Sequence, residues 1–129
     1  MPHDLFTYIN FIKTKGGKMM LYELRIYHMH PGKLSAINKR FSEVTLDLFK
    51  KHDIHVCDFW EDAEGAETIY YIVAFNDRAH RDAAFEAFGK DPEWTAAFAV
   101  SHIDGPIVEK VDSFFMTRVP YIKPDWSVQ

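Results

Sequence analysis

No segment restricts the fold as strongly as residues 67–75. This run of β-branched and aromatic residues reads as a strand, the third in chain order. One parity holds Ile69, Tyr71, Val73 and Phe75, and the other holds Tyr70, Ile72 and Ala74. A strand with one wet face alternates apolar with polar residues; this one does not, so both faces of its sheet are expected to be covered. Phe114 and Phe115, adjacent in the last strand, point to opposite faces and lead to the same conclusion. In a chain of 129 residues with 16% aromatics, helices cover one face only. The second face is expected to meet a second copy of the chain, giving a homodimer with facing sheets. An N-terminal segment docked on that face is the competing cover.

The remaining pattern supplies the other elements. Residues 20–29 form a first strand, ended by Pro31-Gly32. Leu34, Ile37, Phe41, Val44 and Leu48 step by 3, 4, 3 and 4, an amphipathic helix stripe. Lys50, Lys51 and His52 lie at its C-terminal end, where the helix dipole favours positive charge. Residues 54–60 form a second strand, joined to the third by an acidic turn through Glu61, Asp62, Glu64 and Gly65. Asn76 or Asp77 caps a helix that Gly89 is expected to stop. Asp91-Pro92-Glu93 starts another, running to about His102. Residues 107–119 form the last strand. The order β-α-β-β-α-β, with the second helix split, predicts an α+β, ferredoxin-like domain: four antiparallel strands with helices on one face.

Charge and cysteine content remove several function classes. The net charge of −4 disfavours a phosphate-backbone binder, so no nucleic-acid partner is expected. No apolar run reaches the length of about 18–20 residues that spans a membrane. Cys57 is the single cysteine, which excludes an internal disulfide and suits a reducing, cytoplasmic setting. Residues 1–19 differ from the rest: Lys13, Lys15 and Lys18 face only Asp4, a charge of +2 that leaves −6 for the remainder. They fit neither a secretory nor a mitochondrial leader. Lys15-Gly16-Gly17-Lys18 before Met19-Met20 suggests that the extension is translated ribosome-binding sequence upstream of the natural start; a docked N-terminal element is the alternative. The expected division is an extension at 1–19, a domain at 20–120 and a tail at 121–129.

The stretches Tyr22-Glu23-Leu24-Arg25-Ile26-Tyr27 and His30-Pro31-Gly32-Lys33-Leu34, then Asn76-Asp77-Arg78-Ala79-His80-Arg81 and Lys90-Asp91-Pro92-Glu93-Trp94, together resemble NIPSNAP domains. The resemblance covers roughly residues 20–120 and implies a dimeric α+β barrel. Animal members of that family are linked to mitochondria and vesicle transport. The resemblance implies no catalytic residue and no cofactor. This chain departs from many members in its acidic hairpin turn, and it carries one such domain where longer members carry two.

Arg25 is the foremost candidate for function. It shares a parity with Glu23 and Tyr27, while Tyr22, Leu24 and Ile26 read as the helix-packed face. Glu23, Arg25 and Tyr27 are therefore expected to point into the space between protomers. There Arg25 either pairs with Glu23 to hold the sheet or anchors an anionic or carbonyl-bearing small molecule, since guanidinium matches carboxylate bidentately. Tyr27, Tyr71 and Trp60 are expected to shape such a pocket, with Tyr70, Trp94 and Phe98 as further aromatic candidates. His55, on the parity of Cys57 and Phe59, is the candidate acid or base near neutral pH. His28 and His30 make half a metal site at most, with His52 and His55 at no established spacing, so no metal is assigned. Cys57 reads as a buried small side chain, and His80 and Arg81 as surface residues of a helix.

Two readings of function result. One is a homodimeric small-molecule-binding protein for an aromatic or anionic ligand, extending by fold analogy to a cofactor-independent oxygenase-like enzyme. The other is a non-catalytic interaction or scaffold module, using the acidic turn and the outer face of the second helix.

Overall fold

A computed structural model describes residues 19–123 of the chain. The elements are β1 (Leu21–Met29), α1 (34–51), β2 (His55–Glu61), β3 (Thr68–Phe75), α2 (Arg78–Lys90), α3 (Pro92–Ser101) and β4 (Val108–Met116). The strands form one antiparallel sheet in the order β2-β3-β1-β4. This is the expected α+β, ferredoxin-like arrangement with helices on one face. The expectations for the N-terminal extension fall on residues 1–18, outside the described residues, as do residues 124–129 of the tail.

Two local readings are corrected. Gly89 lies inside α2, which runs on to Lys90, and Asp91 both closes α2 and caps α3. The Asp91 carboxylate accepts from the Glu93 backbone N–H at 2.9 Å, and Pro92 occupies the first helical position. Lys51 and His52 bond the same carboxylate at 2.8 and 2.7 Å, tying the end of α1 to the α2–α3 junction.

The helix α1 is not a uniform α-helix. Its flanks, Leu34–Arg40 and Leu46–Lys51, are α-helical, but Phe41–Thr45 widens into a π-turn. The Thr45 hydroxyl donates back to the Arg40 carbonyl at 3.3 Å. A π-turn inserts a residue and rotates everything after it. The buried face is Ile37, Arg40, Phe41, Thr45, Leu48 and Phe49; the expected stripe holds at Ile37, Phe41 and Leu48, with Leu34 and Val44 packed half-buried against the core. Gly32, at φ +80°, makes the turn into α1 in a conformation that other residues rarely adopt, and its N–H donates to the Glu67 carboxylate.

Beneath the helices lie Ile69, Tyr71, Val73 and Phe75, the first parity of β3, all fully buried. Phe59 stacks on Tyr71 with ring centres 5.1 Å apart, and Phe41 meets both edge-on. The second parity turns away from the helices. Tyr22, Leu24 and Ile26 of β1 pair there with Ala74, Ile72 and Tyr70 of β3 and with Met116, Phe114 and Asp112 of β4. Trp60 and Phe114 on this outer face are 43% and 54% exposed.

Candidate functional site

The registers reverse the face expected for β1. Glu23, Arg25 and Tyr27 stand opposite Val73, Tyr71 and Ile69, so they lie under the helices and not between protomers. Their polarity misled the parity reading because it is satisfied internally. Glu23 is fully buried. It accepts from Arg25 Nη1 at 2.7 Å, from Arg81 Nε and Nη2 at 2.8 and 3.0 Å, and from the Ser113 hydroxyl at 2.7 Å. Burial alone would raise its pKa, but the bonds from Arg81 and Ser113 and the charge of Arg25 outweigh it and hold the carboxyl below its usual range. Arg81, expected on the surface, is thus part of the interior cluster.

Arg25 continues the network. Its Nε donates to the Tyr71 hydroxyl at 2.7 Å and its Nη2 to the Tyr27 hydroxyl at 3.2 Å. Tyr71 in turn donates to Tyr27 at 3.0 Å. Burial pushes the Tyr71 phenol well above its ordinary value, so it keeps its proton at neutral pH. Tyr27 accepts twice, and its own proton has no partner among the described residues.

Next to this network is a cavity of about 260 Å³ between the sheet and the helices. Arg25 and Tyr27 reach it from β1, Arg40, Phe41 and Thr45 from α1, and Phe88, Trp94 and Phe98 from α2 and α3. Its walls are aromatic, and Arg25, Arg40 and Tyr27 bring hydrogen-bond donors to it. Arg40 is the residue that sequence reading missed. Position 40 lies between the stripe residues Ile37 and Phe41, but a basic side chain there reads as part of the polar face, whereas here it is buried.

The other predicted site residues lie elsewhere. The β2–β3 register shifts at Cys57, a bulge that breaks the parity linking His55 to Phe59. His55 therefore opposes Ala74 on the outer face and lines a separate surface depression with Leu46, Lys50 and Asp53. Trp60 opposes Tyr70 on that same outer face. So Arg25, Tyr27 and Tyr71 come together, and His55 and Trp60 do not join them. Trp94 and Phe98 do. Burial raises the Cys57 thiol to about 11, which suits an unreactive side chain. His28 bonds Asp112 at 2.9 Å, and no cluster of three or more metal-ligating side chains occurs among the described residues. Among the same residues no helix is long and apolar enough to cross a membrane.

The NIPSNAP family model matches residues 22–123. The chain belongs to the NIPSNAP family. It is 26% identical over 106 residues to Protein NipSnap homolog 3A of Homo sapiens and to that of Pongo abelii. Those matches cover 81% of this chain and 41% of each relative, so the chain spans about two-fifths of the length of the curated relatives it matches. A NIPSNAP family protein of unknown function from Agrobacterium tumefaciens superposes with a TM-score of 0.71 at 21% identity, covering 81% of this chain and 92% of that one. An uncharacterised NIPSNAP domain protein from Burkholderia xenovorans gives 0.69 at 23% identity, covering 81% and 99%. A candidate antibiotic biosynthesis monooxygenase from Chloroflexus aurantiacus gives 0.53 at 13% identity, covering 78% and 93%, a likeness of fold alone.

Proposed function

We propose that this NIPSNAP domain is a homodimeric small-molecule-binding protein whose site is the cavity between the sheet and the helices. One observation carries the reading: an aromatic-walled cavity of about 260 Å³ onto which two guanidinium groups and a tyrosine hydroxyl converge. An engineered apolar cavity of roughly 150 Å³ binds benzene, so this volume suits a single ring with a polar substituent. Binding is favoured over turnover. No histidine, cysteine or carboxylate is among the residues lining the cavity, so the proton abstraction that an oxygenase-like reaction would require has no base there.

The homodimer rests on the outer sheet face, where Trp60, Tyr70, Ile72, Leu24 and Phe114 form an apolar surface that none of the described helices covers. The interaction-module reading draws instead on Val100 and Ile103 beside the end of α3, 67% and 77% exposed. A thermal-shift screen of small aromatic acids, amides and alcohols separates the two. Stabilisation that rises with ligand concentration supports the binding site; a flat response across the screen supports the module.

A further inference from the structure

We infer that Arg40 is the anion receptor of this cavity and that its ligand class is the aromatic monocarboxylate; this rests on the binding reading above. The charges decide which guanidinium is free to bind. Arg25 and Arg81 share the buried carboxylate of Glu23, and Arg81 also reaches Asp82 at 3.2 Å. Arg78 shares Asp82 at 3.1 Å, and Arg25 and Arg81 each already have a carboxylate partner. Arg40 has no such partner: among the described residues no carboxylate lies within ion-pair distance of it.

Arg40 is nevertheless 92% buried, with 8% of its surface exposed. Its Nη1 donates to the Ser101 hydroxyl at 3.1 Å, and its guanidinium lies 5.0 and 5.5 Å from the Trp94 and Phe98 ring centres. Its Nε has no hydrogen-bond partner among the described residues. A buried cation with an unsatisfied donor is unfavourable unless something completes it. Burial leaves the Arg40 charge poorly solvated and so lowers its pKa.

The form of the partner follows from the surroundings. Arg40 lines the cavity, and a guanidinium presents the planar fork that a carboxylate fits. One uncompensated charge matches a monoanion, whereas a dianionic phosphate would need a second free cation. The aromatic walls accept a flat ring. The unpartnered Tyr27 proton offers a further donor to a carbonyl or hydroxyl oxygen on it. The π-turn, which begins directly after Arg40, brings Thr45 to the same cavity wall.

The test is calorimetric titration of the full chain with benzoate and phenylacetate, their neutral amides, and inorganic phosphate. The expected result is that each carboxylate binds at least about tenfold more tightly than its amide, and that phosphate does not compete. This comparison uses the wild-type protein and needs no variant. Arg40→Met keeps the apolar stem and removes the charge; it should erase the carboxylate preference without lowering the melting temperature of the free protein. If Arg40→Met does not fold, Arg40→Gln serves for the same comparison. Equal binding of acids and amides, or a preference that survives loss of Arg40, overturns this inference and leaves the cavity as a binding site. No binding by any of the aromatic probes overturns both.

Discussion

Replacing Glu23 with Gln is the sharpest test of how the interior is held. The side chain is fully buried and receives four hydrogen bonds at 2.7–3.0 Å from Arg25, Arg81 and Ser113. Glutamine keeps the shape but removes the charge, leaving two guanidinium groups under the helices without their shared anion. Breaking a buried pair from one side costs about 3–5 kcal/mol. The side chains of Arg25 and Arg81 are 15% and 20% exposed, too little for water to replace the lost partner. Against a total stability of about 5–15 kcal/mol, the variant should still fold, with its melting temperature lowered by roughly 10–20 °C. The sign of the pH dependence is fixed as well. Glu23 has a folded pKa below its ordinary value, so its contribution is present at neutral pH and is lost as the pH falls below about 4.3. Urea unfolding followed by circular dichroism, at pH 7 and again near pH 3.5, measures both. A loss below about 1 kcal/mol at pH 7, or an equal loss at both pH values, would refute the electrostatic account of the cluster.

Three further predictions concern other parts of the molecule. Asp91→Ala removes the cap of α3 and the bonds from Lys51 and His52, and should cost about 1–2 kcal/mol at neutral pH. Those bonds hold the carboxyl below its ordinary value, so chemical unfolding should show the difference shrinking as the pH falls below about 4. Cys57, its thiol raised by burial to about 11, should react with iodoacetamide at pH 8 much more slowly than free cysteine, as mass spectrometry will record. Phe114→Glu places a charge on the outer sheet face at a position already 54% exposed. It should change the stability of the fold by no more than about 0.5 kcal/mol yet shift sedimentation from dimer to monomer; an unchanged sedimentation coefficient contradicts the facing-sheet dimer.

Particular residues explain how much of this was legible in the sequence. The unbroken apolar run of β3, the Asp-Pro-Glu helix start and the Pro-Gly turn are local signals, and each produced its element. The orientation of β1 was not legible. Parity ranks faces by hydrophobicity, and here the more polar set, Glu23, Arg25 and Tyr27, lies inside because Arg81, Ser113 and Tyr71 satisfy it from distant parts of the chain. The bulge at Cys57 inserts one residue into the strand repeat, so side chains on its two sides change face, and the π-turn at Phe41–Thr45 widens the buried stripe of α1 to take in Thr45 and Phe49. His55 was misplaced by the bulge, and Arg40 was missed because a basic side chain beside the apolar stripe reads as outward-facing. Buried polar clusters and broken repeats are where local rules yield to tertiary structure, and such places are often functional.

The central claim is that the cavity under α1, α2 and α3 is a ligand site. The most direct measurement is a crystal structure of the protein soaked with phenylacetate at a concentration that saturates its calorimetric response. The account predicts density for the ring among Phe41, Phe88 and Trp94, with the carboxylate against Arg40. An empty cavity, or a ligand seated only on the outer face beside Trp60 and Phe114, would contradict it.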